Sequence, residues 1–300
     1  MSEATKPVRH IVAFSGGKDS SALAIYLHDP ERWRRVLGKR DLPPRPPLEA
    51  EYVFCDTGAE LAETYDYLDK LEAYLGRPIQ RLRASAPPDK TPFDHYLALY
   101  NGFLPSPQMR WCTRKLKLEP YEQYVGEDEV VSYVAIRADE PGRVGYISTK
   151  PNITTVYPFK EDGIMKEDVY RILEDSGVGR PDYYRWRSRS GCYFCFFQRK
   201  SEWVGLMENH PELFEAAKAY EKLDPDTGTR FTWSDAESLD ELTEPARIAE
   251  IKRRTAERLA RASESYQGRT LLAQMFPDSG LLDEARDLED AGAGCNICHL

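Results

Sequence analysis

No stretch of this chain approaches the roughly 20 consecutive apolar residues that a membrane-spanning helix needs, so no membrane partner is expected. The first residues, Met1 to Pro7, lack the apolar core of a secretory signal, and a cytoplasmic protein is expected. Positive charge is not in excess either: 41 Lys and Arg stand against 50 Asp and Glu, a net charge of −9. That balance argues against a nonspecific coat on nucleic acid. Cysteine is scarce, with six residues, and in a cytosolic chain two CxxC pairs point to metal or redox chemistry rather than structural disulfides. Internal repeats and low-complexity segments are missing too. What remains is 300 residues with 41% hydrophobic and 30% charged content, enough to bury a sizeable core. The charge is uneven. From Glu202 onward 21 acidic and 11 basic residues give −10, which leaves the first part near neutral. Within it, Arg180 to Lys200 carries six basic residues against Asp182, enough for a local basic groove.

The most informative stretch is Ile11-Val12-Ala13-Phe14 followed by Ser15-Gly16-Gly17-Lys18-Asp19-Ser20 and the helical Ala22 to Leu27. An apolar strand, a glycine turn and a helix N-terminus make a site for anionic oxygens, because glycines let backbone N–H groups close on the anion and the helix dipole favours it. Lys18 adds a full charge, and Ser15, Ser20 and Ser21 add hydroxyls. The spacing is too short for a Walker A loop. A second strand, Tyr52 to Cys55, ends in Asp56-Thr57-Gly58, and Pro78 to Leu82 reads as a third. Leu61, Tyr65, Leu68 and Leu71 recur at helical spacing between them. Strand and helix alternating in this way imply an α/β fold, a parallel sheet with helices on both faces. Ligands on such sheets sit beyond the carboxyl ends of the strands, where Ser15–Ser20 and Asp56–Gly58 both fall. Asp56 can hold Mg2+ or a hydroxyl, and Thr57 can meet a ribose or phosphate. Cys55 reads as a small buried hydrophobe. Farther on, Val130 to Ile136 reads as a strand and is followed by Arg137 and Arg143, suited to phosphate or sulfate or else to pairing with Asp139 and Glu140. Val156 to Phe159 reads as a short strand and Lys166 to Leu173 as an amphipathic helix. Residues 1–200 are expected to form one domain that carries the phosphate loop and a cysteine site, and 201–300 a mostly helical region ending in a CxxC tail.

Five cysteines form the second concentration of chemistry. Cys112 precedes Arg114, Lys115 and Lys117, a setting that favours thiolate. Cys192 and Cys195 form a CxxC among aromatic residues, and Cys295 and Cys298 form another near the end. A single CxxC fits half a zinc site, half an iron–sulfur site or a dithiol redox pair.

Ser-Gly-Gly-Lys-Asp-Ser resembles the PP-loop of ATP pyrophosphatases. With Asp56-Thr57-Gly58, the Trp111-Cys112-Thr113 stretch, and Arg137-Ala138-Asp139-Glu140 before Arg143, the chain is similar to the phosphoadenosine phosphosulfate (PAPS) reductase-like family. Two departures stand out: Pro141 replaces the family's serine after the glutamate, and neither a Cys-Cys pair nor a Glu-Cys-Gly tail is present. The resemblance implies ATP binding and displacement at the α-phosphorus. Ser15, Gly16, Gly17, Lys18, Asp19, Ser20, Asp56, Thr57 and Gly58 would bind the nucleotide, and Mg2+ would bridge its phosphates through Asp19 or Asp56. Lys18 would offset charge on pyrophosphate, and Arg137 and Arg143 would position an anionic acceptor. It further implies an iron–sulfur (4Fe–4S) cluster on Cys112, Cys192, Cys195 and Cys298, with zinc as the alternative occupant. Cys295 would be a nucleophile or persulfide carrier, although its exchange with Cys298 stays open. The branch expected is the one that activates nucleic acid for sulfur insertion, on DNA as in phosphorothioation or on tRNA, with a cysteine desulfurase as sulfur donor. Sulfonucleotide reduction is the alternative within the family, and a nucleotide-binding redox sensor is the alternative outside it.

Overall fold

The computed structural model describes residues 7–143, 148, 150–223, 226, 228–234 and 237–266. In chain order the elements are β1 (Arg9–Phe14), α1 (Lys18–His28), α2 (Pro30–Val36), β2 (Glu51–Cys55), α3 (Ala62–Leu75), β3 (Ile79–Leu82) and α4 (Pro92–Leu99). There follow α5 (Trp111–Thr113), a π-helical turn Arg114–Leu118, α6 (Glu119–Val125), β4 (Val130–Tyr133), β5 (Ile153–Val156), α7 (Pro158–Glu161) and α8 (Lys166–Asp175). The remainder comprises α9 (Lys200–Asn209), α10 (Pro211–Lys218), β6 (Lys222–Leu223), β7 (Arg230–Phe231), α11 (Leu239–Leu242) and α12 (Pro245–Tyr266). Among the described residues no helix is long and apolar enough to cross a membrane.

The chain divides into two compact units. The first holds residues up to Pro87 together with Thr113–Pro181, and the second holds Pro88–Cys112 and the chain from Asp182. The cut expected after residue 200 thus falls inside the second unit. The reason is packing: Phe93 and Trp111 share an aromatic nest with Phe194 and Trp233, so the CxxC segment groups with the helical region.

In the first unit, five parallel strands stand in the order β3-β2-β1-β4-β5. Successive side chains of a strand face opposite sides of the sheet, so the unbroken apolar run of β1 requires cover on both. Val12 and Phe14, with Tyr52 and Phe54, join a core containing Leu23 of α1, Leu68 and Leu71 of α3 and Ile172 of α8. Ile11 and Ala13, with Val53 and Cys55, meet Leu118, Tyr121 and Val125 around α6. The α/β arrangement with helices on both faces is therefore as the pattern implied. Two boundaries differ from expectation. β4 stops at Tyr133, because the chain turns back on itself where Ile136 N–H donates to the Val134 carbonyl. The last strand lies earlier, at Ile153–Val156, because Pro158 begins a helical turn and cannot donate to a ladder.

In the second unit, Trp203, Leu206, Phe214, Ala217, Leu239 and Leu242 are buried where α9, α10 and α11 meet. Trp233 donates its indole N–H to the Ala217 carbonyl at 2.8 Å, and Tyr220 donates to Asp94 Oδ1 at 2.8 Å.

Candidate functional sites

β1 and β4 are neighbours in the sheet, and from them the strand order runs outward in opposite directions, through β2 and β3 on one side and β5 on the other. Open parallel sheets bind ligands at such a divergence. After β1 the backbone enters the left-handed region at Gly16 (φ +73°), where a Cβ would also lie only 2.7 Å from Thr64 Cγ2 of α3. Glycine is therefore required twice over. Gly17 caps α1 in an extended conformation, and no side chain caps the helix. The serine hydroxyls turn inward: Ser20 Oγ lies 3.2 Å from Ser15 Oγ, and Ser21 Oγ donates to the Gly17 carbonyl at 2.8 Å. The result is a buried helix N-terminus that begins at a glycine rather than at a capping side chain, a site suited to an anion.

Charge is concentrated beside it. Lys18 is only 5% exposed, with Nζ 3.4 Å from Asp19 Oδ2. Arg137, after β4 and equally buried, donates from Nη1 to Asp19 Oδ1 at 3.0 Å and from Nε to Asp139 Oδ1 at 2.9 Å. Burial lowers the Arg137 pKa, but Asp19, Glu140 and Asp139 outweigh it, so the guanidinium stays charged. Arg143 turns to Glu140, with Nη1 2.5 Å from Oε1. The structure thus brings Lys18, Asp19 and Arg137 together, with Asp19 held between two cations.

Asp56 follows β2 at the same sheet edge. Its Oδ1 accepts from Gly58 N–H and from the Tyr65 hydroxyl, both at 2.8 Å. Thr57 donates to Glu60 Oε1 at 2.7 Å. Gly58 is left-handed (φ +72°), and a Cβ there would run into the Arg83 guanidinium. Arg83 was missed in the sequence, although its place just after β3 put it on the ligand-binding edge. For Mg2+, Asp56 fits better than Asp19. Asp56 Oδ2 carries no hydrogen bond among the described residues, whereas both Asp19 oxygens face cations. Cys55 is inert: burial pushes its thiol up to about 12, and Sγ donates to the Lys117 carbonyl at 3.4 Å.

The second site lies within the second unit. Cys112, Cys192 and Cys195 are all partly exposed and in no disulfide. The CxxC loop is pinned from below by Arg187, 1% exposed, which donates to the carbonyls of Gly191 (2.9 Å) and Cys192 (2.8 Å). Glu202, 3% exposed, accepts from Ser188 N–H (2.8 Å), Ser188 Oγ (2.6 Å) and Arg199 N–H (3.1 Å). Burial raises its carboxyl pKa, but Arg187, Arg189 and the Ser188 bonds more than offset that and hold it below the usual range. Arg189 Nη2 donates to Cys195 Sγ at 3.2 Å. Arg187, Arg189 and Glu202 carried no sequence signal beyond the basic composition of the segment. For a metal or cluster the thiols and the N–H···S bond are suitable donor chemistry. Yet among the described residues no three His, Cys, Asp or Glu side chains are gathered so as to hold a metal ion. Cys295 and Cys298 lie outside the described residues.

Residues 9–160 match the phosphoadenosine phosphosulfate reductase domain, and the chain belongs to that family, within the PP-loop superfamily. An uncharacterized Methanocaldococcus jannaschii protein is 28% identical over 222 residues, covering 70% of this chain and 40% of that protein. A second from the same archaeon is 24% identical and covers 67% of this chain and 45% of its own length. The chain thus spans less than half of either archaeal relative. An uncharacterized 37.8 kDa protein of Escherichia phage 186 is 27% identical, covering 71% of this chain and 75% of the phage protein. Among solved structures, the phosphoadenylyl-sulfate reductase of Candida auris in its phosphate complex covers 63% of this chain and 82% of its own, at 13% identity and a TM-score of 0.44.

Proposed function

We propose that the chain is an ATP pyrophosphatase that adenylates a nucleic-acid acceptor for sulfur insertion, on DNA as in phosphorothioation or on tRNA. The observation that carries this reading is the N-terminus of α1 beginning at Gly17 behind left-handed Gly16, with Lys18 buried beside it. Preorganised N–H groups and a buried ammonium stabilise the charge that grows on pyrophosphate as it leaves. An acceptor oxygen attacks the α-phosphorus, the bond to the bridging oxygen of the β-phosphate breaks, and pyrophosphate departs with the electron pair. The terminal sulfur of a persulfide, filled by a cysteine desulfurase, then attacks the adenylated centre and displaces AMP together with that oxygen; a second thiol cleaves the S–S bond, leaving the sulfur on the acceptor and a disulfide behind. Arg137 acts through Asp19 to fix Lys18. Arg143 spends one nitrogen on Glu140 and keeps donors for an anionic acceptor. Mg2+ on Asp56 would neutralise phosphate charge. A 4Fe–4S cluster, or zinc, would be held by Cys112, Cys192, Cys195 and Cys298, with Cys295 left as the persulfide carrier; when bound, the group would fix the geometry of the thiols around that carrier. A cytoplasmic location suits such a reaction.

The test is pyrophosphate release by anaerobically prepared protein with ATP and DNA or RNA. Lys18→Ala is expected to lower the rate about 100-fold or more. Absence of release with every nucleic acid, or full activity in the variant, would sink the reading. The family match favours one competing reading, sulfonucleotide reduction. Sulfite release from PAPS that disappears in Cys295→Ser or Cys298→Ser would select it. Iron with an absorbance band near about 400 nm distinguishes a cluster from zinc.

A further inference from the structure

The second unit is acidic, and its surface cations are mostly spent. Lys200, Lys218, Arg230, Arg247, Lys252 and Arg253 each pair with a carboxylate. Arg110 does not. Its Nε donates to the Pro107 carbonyl at 3.1 Å, and its guanidinium carbon lies 4.9 Å from the centre of the Phe197 ring; no carboxylate among the described residues pairs with it. Arg189 lies 4.9 Å from the centre of the same ring and bonds Cys195 Sγ. Phe196 packs on Phe197 with centroids 4.3 Å apart. Just before Arg110, Leu99, Phe103 and Met109 are 63%, 50% and 44% exposed, though each is large and apolar. The Trp111 indole ties this segment back by donating to the Phe103 carbonyl at 3.0 Å.

Guanidinium planes on an aromatic ring, open donors and adjacent exposed apolar side chains are what unpaired bases and their phosphates need. Bases stack on rings and on guanidinium planes, while the open N–H groups take phosphate oxygens. A duplex, whose bases are already stacked, cannot use such faces. We propose that Arg110, Phe197 and Arg189 form a platform for a single-stranded segment of nucleic acid, with Cys195 one hydrogen bond from the strand's path. The platform rests on the nucleic-acid reading of the function and names where the acceptor lies in this unit.

The test uses the full reduced chain and a fluorescein-labelled 20-nucleotide oligothymidylate, with the matching duplex and ATP as separate ligands. Wild type is expected to prefer the single strand. Arg110→Gln is expected to weaken that binding about tenfold and to flatten its salt dependence, with ATP affinity unchanged. Phe197→Leu is expected to lose a similar factor. If it fails to fold, the partly exposed Arg110 carries the test alone. Wild-type binding that both variants retain would overturn the platform and leave the nucleic-acid reading standing. Binding to neither single strand nor duplex would overturn both. Duplex preferred over single strand would overturn the platform only.

Discussion

The loop after β1 and the loop bearing Cys192 and Cys195 both offer polar groups at a tight turn, but different forces hold them. The first is shaped by backbone: a left-handed glycine, a helix start and two strands whose ends the sheet fixes. Its charges are then added at the edge, with Asp19 shared by Lys18 and Arg137. The second has no ladder beneath it. Its carbonyls hang on the buried Arg187, its flank on the buried Glu202, and its outer side on aromatic rings. A loop held by backbone depends on a few glycines, whereas a loop held by buried ions depends on their staying charged. The first kind should fail chiefly on an added methyl group, and the second chiefly when its buried ions lose their charge.

The largest effect is expected where the first loop does borrow from buried charge. Arg137→Ala leaves Asp19 with Lys18 alone and should destabilise the first unit by about 3–5 kcal/mol. Urea unfolding followed by hydrogen exchange at β1 measures it; a loss under about 1 kcal/mol would mean the pair is dispensable. Next comes Gly16→Ala, expected to cost about 2–3 kcal/mol from the left-handed backbone and the approach to Thr64. Adding Thr64→Ser removes the clash but not the backbone strain, so only part of the loss should return. Complete rescue would show that sterics alone demand the glycine. Smallest is Glu202→Gln, at about 1–3 kcal/mol at neutral pH. The folded-state pKa of Glu202 is depressed. Its contribution is therefore complete above the ordinary carboxylate value of 4.5 and is lost as pH falls from there through the depressed folded value. Wild type and variant should converge on acidification. Equal gaps at pH 7 and below pH 4.5 would refute the charged role of Glu202.

The same contrast explains what the sequence revealed. Strand ends, glycine turns and apolar periodicity are local, so β1, the glycine loop after it, α3 and the Asp56 turn could all be read from short windows. Asp19 between Lys18 and Arg137 was not legible, because the pairing joins residues 118 apart and depends on β4 lying beside β1. The second unit was harder still. Nothing in Arg185 to Lys200 distinguishes the buried Arg187 from the exposed Arg185, and aromatic packing moved the boundary away from residue 200. Nor does spacing tell that Arg137 is buried against Asp19 and Asp139 whereas Arg143 faces Glu140.

The place of β1 has a consequence for biosynthesis. It pairs on one side with β2, forty residues on, and on the other with β4, which the ribosome delivers only after about 120 further residues. Until then the nascent chain has an apolar strand with one edge unpaired, and Asp19 has no Arg137 to meet. A chain halted before Val130 would carry the glycine loop in full but present that open edge to its neighbours, so truncation there should yield aggregates rather than a smaller folded unit.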